Sequence, residues 1–147
     1  MNRLRMKLVF RLGAVGFSVS IGEIVEILES HPGRPGGENI DKCRFLLGET
    51  VCRRGTVPLH DLRRRMQLSS DHGVNDATIL VLGDDSRCFG VIADHIDGIF
   101  PEAEFVTFSV PFQFVDGAVP VYERIDLWSD EPLVALDFRT LVASWGT

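Results

Sequence analysis

Few side chains in this sequence could do chemistry, and their spacing suits none of the usual reactions. Asp94-His95-Ile96-Asp97 brings two carboxylates and an imidazole together. Such a set could hold a divalent cation, but it lacks both the HExxH spacing of a zinc helix and the oxygen pattern of a calcium loop. His60-Asp61 pairs a base with a carboxylate, yet neighbours on a strand point to opposite faces and are badly placed as a dyad. No serine lies in a G-x-S-x-G turn, and no GxxxxGK[ST] or GxGxxG is present to cradle a phosphate. Cys43, Cys52 and Cys88 are an odd number without a CxxC pair, so reduced, partly buried thiols are expected rather than a disulfide framework or a zinc site. No cofactor and no catalytic residue is indicated. A small metal-binding enzyme using Asp94, His95 and Asp97 is the weaker alternative.

The other reactive-looking groups are arginines, at Arg53-Arg54 and Arg63-Arg64-Arg65. The chain carries a net charge of −6 and a sequence pI near 5.1, which gives no electrostatic footprint for nucleic acid. Arg64 and Arg65 read as a solvated helix face. Arg54 differs because it precedes a glycine turn, where its planar fork can hold a carboxylate or backbone carbonyls.

The elements that must position Arg54 occupy the stretch Cys52 to Arg63. Arg54-Gly55 reads as a turn, Thr56 to His60 as a strand with Val57 and Leu59 apolar, and Asp61 as the cap of a helix running through Leu62 to Met66. Pro58 has no N–H to donate, which predicts an edge or a bend for that strand.

Around this stretch the chain has a hydrophobic fraction of 45% and a charged fraction of 24%, values of a globular protein with a core. One domain spanning 1–147 is expected. The apolar run after Arg3, Arg5 and Lys7 is broken at Arg11, which argues against a signal peptide or membrane span and for a cytoplasmic protein. Leu8 to Leu12 and Gly16 to Val19 read as a hairpin. Ser20 and Glu23 have capping-box spacing, and Ile21, Ile24, Val25 and Leu28 form a stripe, so a helix is predicted there, with Ile27 off the buried face. His31 to Glu38 is a Pro/Gly loop, and Ser69 to Asp76 is a polar linker. Thr78 to Leu82 and Cys88 to Ala93 form a second hairpin, followed by Ile96 to Phe100. Phe105, Phe108, Phe112 and Phe114 are expected as core aromatics. Ala118 to Tyr122 and Leu133 to Leu136 read as the last strands, separated by a polar Glu123 to Pro132. Asp137 caps a closing helix through Val142.

The sequence also repeats itself. Leu8, Val9, Phe17, Val19, Ile24 and Ile27 fall on Leu80, Val81, Phe89, Val91, Ile96 and Ile99. Asp61-Leu62-Arg63 falls on Asp137-Phe138-Arg139. Two similar β-rich lobes are therefore expected, at about 6–70 and 77–144, with the termini free to exchange between them.

Arg54-Gly55-x-Val57-Pro58-x-x-Asp61-Leu62-Arg63 resembles the N-L-R-G-x-[VI]-[VL]-P-[VI]-[VI]-D-L-R signature of CheW-like domains. Phe10 to Leu28, Ile79 to Ile99 with its ending Asp94-His95-Ile96-Asp97-Gly98-Ile99, and Leu133 to Leu141 resemble other parts of that family. The resemblance implies a mainly β fold with short helices, built as two five-stranded SH3-like barrel lobes packed together. It implies a non-catalytic adaptor that links methyl-accepting chemoreceptor tips to the regulatory domain of a CheA-like histidine kinase, touching the membrane only through receptors. By the same resemblance Ile24, Glu26, Ile27, Arg53, Arg54, Gly55 and Val57 are the candidate partner-binding residues. Cys52 and Arg53 replace the signature's Asn and Leu, and His60 replaces an apolar residue. A scaffold of a related signalling system, or a homomeric module pairing through the Pro58 edge, would carry the same signature.

Overall fold

Strand structure begins at once in the computed structural model, which describes residues 5–28, 34–35, 46–68, 78–110 and 121–144. β1 (Met6–Leu12) and β2 (Val15–Ser20) pair antiparallel across a turn in which Gly13 takes a φ of 60°, the left-handed region that suits glycine. Phe10 faces Phe17 across the pair, and their rings stack at 5.1 Å. The second hairpin, β7 (Thr78–Gly83) with β8 (Cys88–Ala93), repeats this arrangement, with Leu80 opposite Val91 and Leu82 opposite Phe89.

Each hairpin becomes the centre of a different unit. The first unit comprises Met1–Glu23 and Ile96–Thr147, and the second Ile24–His95. In the first, β1 and β2 are joined by β9 (His95–Pro101), β10 (Phe105–Ser109), β11 (Arg124–Trp128) and β12 (Glu131–Leu136), in the order β10-β11-β12-β2-β1-β9. In the second, β3 (Ile24–Leu28), β4 (Arg34–Pro35), β5 (Leu46–Cys52) and β6 (Gly55–His60) give the order β3-β7-β8-β6-β5-β4. Two short helices, α1 (Leu62–Arg65) and α2 (Phe138–Ser144), complete a mostly β protein of two curled sheets.

The sequence repeat has a physical counterpart in one parallel pairing per unit. β6, which leads into α1, lies parallel to β8 with Leu59 opposite Gly90. β12, which leads into α2, lies parallel to β2 with Val134 opposite Phe17. Each strand preceding an Asp-capped helix thus pairs with the hairpin of the other half of the sequence. A parallel partner cannot be reached by a tight turn, so the hairpin it joins must lie far away in the chain. The units therefore interleave along the sequence instead of dividing at the 69–76 linker.

Several local expectations change. The segment predicted as a helix from Ser20 to Leu28 is a single 3₁₀ turn at Ile21–Glu23 followed by β3. Its apolar spacing fits a helix, but pairing of β3 with β7 satisfies the backbone instead, with a bulge between Ile24 and Glu26. Pro58 does not lie on an edge strand, since β6 runs between β5 and β8. The ladder to β8 starts at Leu59, immediately past the proline that has no N–H to give. The polar stretch between the last two predicted strands contains β11, whose Ile125 and Leu127 alternate with Arg124, Asp126 and Trp128. Phe105 is buried as expected, whereas Phe108 is 50% exposed. Phe112, Phe114 and residues 118–120 of the predicted Ala118 to Tyr122 strand lie outside the described residues, and 121–122 are not in a strand.

Candidate functional site

The Arg54 turn is built from the core of the second unit outward. Val25, Cys52, Val57, Leu59, Ile79 and Val81 form that core, with Leu28, Cys88 and Ile92 packed against it. Cys52 faces Gly55 in the β5–β6 pair, so alternation turns Cys52 and Val57 inward and leaves Val51, Arg53 and Arg54 outside. Gly55 adopts a φ of 112°, which a side-chain-bearing residue rarely takes, so glycine is required there to close the turn.

Three hydrogen bonds fix the turn from different directions. The backbone N–H of Arg53 donates to Glu26 Oε1 at 2.7 Å. The backbone N–H of Arg54 donates to Cys52 Sγ at 3.4 Å. The Arg54 guanidinium donates from Nη1 to the carbonyl oxygen of Asp84. That carbonyl belongs to a turn which Asp84 itself organises: its Oδ1 accepts from the N–H groups of Ser86 at 2.8 Å and Arg87 at 3.0 Å. Those donors hold the Asp84 carboxyl below its ordinary pKa. The Cys88 thiol lies beside the same turn, pushed up by burial and then by Cys52, with Arg54 opposing.

Of the predicted partner-binding residues, Glu26, Arg53, Arg54 and Gly55 therefore meet around one turn. Ile27 follows Glu26 on β3 and is 38% exposed, while Ile24 is half-buried. Val57 departs from the expectation, for it is buried in the core and supports the turn without offering a surface. Sequence reasoning missed Val51, which is 69% exposed opposite Thr56, because residues 46–52 did not read as a strand. It also missed Asp84, whose backbone carbonyl carries no side-chain signal.

The other candidate chemistry does not assemble. Asp94 is paired with Arg63, and Asp97 Oδ2 accepts from Arg11 Nη2 at 2.6 Å. Arg11 also pairs with Glu131, and these two carboxylates, Glu131 first, raise its pKa above the ordinary arginine value. No group of three potential metal ligands converges among the described residues. His60 ends β6, whereas Asp61 lies past the strand as the cap of α1. His60 is half-buried with its ring edge-on to Phe89 at 5.0 Å, and burial lowers its pKa to about 4. Asp61 caps α1 by accepting from the N–H of Arg64 at 3.0 Å.

The first unit contains a cavity of about 410 Å³, lined by Lys7, Ser18, Glu23, Thr107, Arg124 and Asp126 among others. Its polar groups answer one another. The fully buried Asp126 accepts from Lys7 Nζ and Ser18 Oγ at 2.7 Å each, and from Thr107 Oγ1. Burial pushes the Asp126 carboxyl up, but the hydrogen bonds outweigh it and leave the pKa below the ordinary value. Glu23 Oε1 accepts from the N–H of Phe138 at 2.7 Å, and Asp137 Oδ1 from that of Thr140 at 2.8 Å, so both carboxylates are used on the first turn of α2.

The described residues make a mostly β protein whose ionic side chains brace turns and helix ends and whose Arg53-Arg54 turn is exposed. The family model of the CheW-like domain matches residues 7–121, and the chain belongs to that family. Among solved structures, the scaffolding protein TtCheW from Thermoanaerobacter tengcongensis aligns with a TM-score of 0.71 and 19% identity, covering 91% of this chain and 89% of that one. The two share the fold. No curated protein matches the chain in sequence. Among the described residues, no helix is long and apolar enough to cross a membrane.

Proposed function

We propose that this chain is a single-domain, non-catalytic adaptor of a chemotaxis-type signalling array, coupling chemoreceptor cytoplasmic tips to the regulatory domain of a CheA-like histidine kinase. Membership of the CheW-like family supports the adaptor role. The observation that carries the site is the meeting of Glu26 with the Arg53-Arg54-Gly55 turn, beside the exposed Ile27. That surface joins a rigid cationic fork to apolar area, the composition of a protein–protein contact. The protein works in the cytoplasm and reaches the membrane only through receptors.

Binding is expected at micromolar strength, as for transient signalling contacts. Titration calorimetry with the regulatory domain of the host's CheA-like kinase would measure it for wild type, Arg54→Ala and Ile27→Asp. Equal affinity for all three would remove the site assignment, and no binding by wild type would remove the kinase as partner.

Arg53 supports a second reading. The family signature has leucine where this chain exposes a cation, which suits a partner with a more acidic docking face, as in a related signalling system outside chemotaxis. Recovery from host extract of a kinase other than the chemotaxis one would favour that reading.

A further inference from the structure

β10 (Phe105–Ser109) forms one edge of the first unit's sheet, with β11 on one side and, among the described residues, no strand on the other. Natural sheets shield such edges with charges, proline or a bulge, because the free backbone groups invite another strand. β10 has none of these: Phe105-Val106-Thr107-Phe108-Ser109 is uncharged, and its register with β11 runs unbroken. Alternation divides its side chains between two faces. Phe105 joins the core with Val9 and Leu133, and Thr107 Oγ1 donates to Asp126, so this face looks inward. Val106 and Phe108 point the other way and are 54% and 50% exposed. There they sit opposite Leu127 and Ile125 on β11, which in turn lie opposite Pro132 and Val134 on β12. The outer face of these three strands carries an uncharged apolar block that is open at its β10 end.

The backbone of β10 has its own direction. The Val110 N–H donates to the Glu123 carbonyl at 3.0 Å, which continues the β10–β11 register. In an antiparallel pair alternate residues address the same neighbour, so Val106 and Phe108 also bond toward β11, while Thr107 and Ser109 turn their N–H and C=O groups to the open edge. The Phe105 carbonyl faces the same way, its N–H being taken by the Glu102 carbonyl. We propose that two copies of this chain pair through β10, antiparallel about a two-fold axis at Thr107, to form one continuous sheet. In that register Thr107 meets Thr107 of the second copy as a hydrogen-bonded pair, and each Ser109 N–H meets a Phe105 carbonyl. Val106 meets Phe108 of the second copy as a non-hydrogen-bonded pair, the kind in which side chains approach most closely. No charge faces a like charge, because Glu104 falls opposite Val110 and already accepts from Trp128 Nε1 at 3.3 Å. A neutral strand that complements itself favours its own copy over a charged partner segment. An edge of five residues buries less than the roughly 1,200 Å² of a standard interface, so the pairing is weak and depends on concentration. It follows from the sheet register and stands apart from the adaptor reading above.

Sedimentation velocity on the full chain in reducing buffer, from about 10 µM to about 1 mM, is expected to show a monomer–dimer equilibrium with a Kd of about 100 µM. Val106→Lys and Phe108→Glu, both at exposed positions, are each expected to weaken it at least about tenfold without moving the thermal melt. Mixed together, the two variants should recover the dimer. The two-fold then sets the introduced lysine of one copy against the introduced glutamate of the other, while the remaining Phe108 and Val106 still pair. The amides of Thr107 and Ser109 are expected to exchange more slowly as protein concentration rises. Wild type that stays monomeric to about 1 mM overturns the proposal. So does a dimer that either variant leaves intact, or that the mixture of folded variants fails to restore. If Val106→Lys does not fold, Phe108→Glu and the amide exchange of wild type decide the matter. Exchange at 105–109 that slows only when the kinase regulatory domain is added gives the edge to that partner and likewise overturns self-pairing.

Discussion

Glu26 on β3 and Arg53 in the β5–β6 turn are joined by a carboxylate-to-amide hydrogen bond of 2.7 Å, which ties two candidate contact residues, 27 positions apart, into one surface. Because the acceptor is charged and the pair is exposed, its effect on global stability is small while its effect on turn geometry is large. Glu26→Ala is expected to leave the melting temperature within about 4 °C of wild type, a change of under ~1 kcal/mol. Its affinity for the kinase regulatory domain should fall about threefold to tenfold, up to ~1.4 kcal/mol. Calorimetry and a thermal melt on the same sample separate the two effects.

Asp126 is the most consequential buried charge. Removing it by Asp126→Ala leaves Lys7 and the Ser18 hydroxyl without their shared acceptor, and breaking a buried pair in this way costs about 3–5 kcal/mol. Replacing both partners, Lys7→Met with Asp126→Leu, should recover most of that loss, since no uncompensated charge remains. Urea unfolding of the single and double variants would show the difference.

His60 makes stability depend on mild acid. Its folded-state pKa of about 4 lies below the ordinary 6.5 because burial disfavours the imidazolium. Above pH 6.5 the ring is neutral whether folded or unfolded, and its contribution is fully present. As pH falls from 6.5 to 4, the unfolded chain takes up a proton that the folded one refuses, so stability declines through that window. The full span corresponds to at most about 3 kcal/mol, and the half-exposed ring should deliver less. Urea midpoints measured across that window should show the decline in wild type and a flatter curve in His60→Phe.

The start of α2 is held by two carboxylates from different segments. Asp137→Ala removes the cap on Thr140 and is expected to cost about 1 kcal/mol, within the usual range for an N-cap. Glu23→Gln keeps an acceptor for the Phe138 N–H and removes the carboxylate charge that burial disfavours, so it should be close to neutral. Chemical denaturation of the two variants tests whether Glu23 matters for its oxygen or its charge.

Much of this architecture was legible before any coordinates. The hairpins at Leu8 and Leu80 are written in short apolar runs, Leu8 to Phe10 and Ile79 to Leu82, and Asp61 and Asp137 mark helix starts because a short carboxylate accepts backbone N–H groups nearby. Those are local signals that a few residues carry by themselves. The 3₁₀ turn and strand at Ile21–Leu28 were not legible, because apolar residues at helical spacing can also serve a bulged strand when another strand supplies the hydrogen bonds.

The sequence by itself determined the family signature, the β character, the turn at Arg54-Gly55 and the absence of a recognisable catalytic motif, since each depends on residue types at short spacing. Only the tertiary structure decided which hairpin pairs with which strand, because parallel pairing joins segments whose separation leaves no trace in local pattern. It also decided that Glu26, Cys52 and Asp84 meet at the Arg53-Arg54 turn. Those contacts run to backbone groups, the N–H groups of Arg53 and Arg54 and the Asp84 carbonyl, which nearly every residue possesses and no sequence distinguishes.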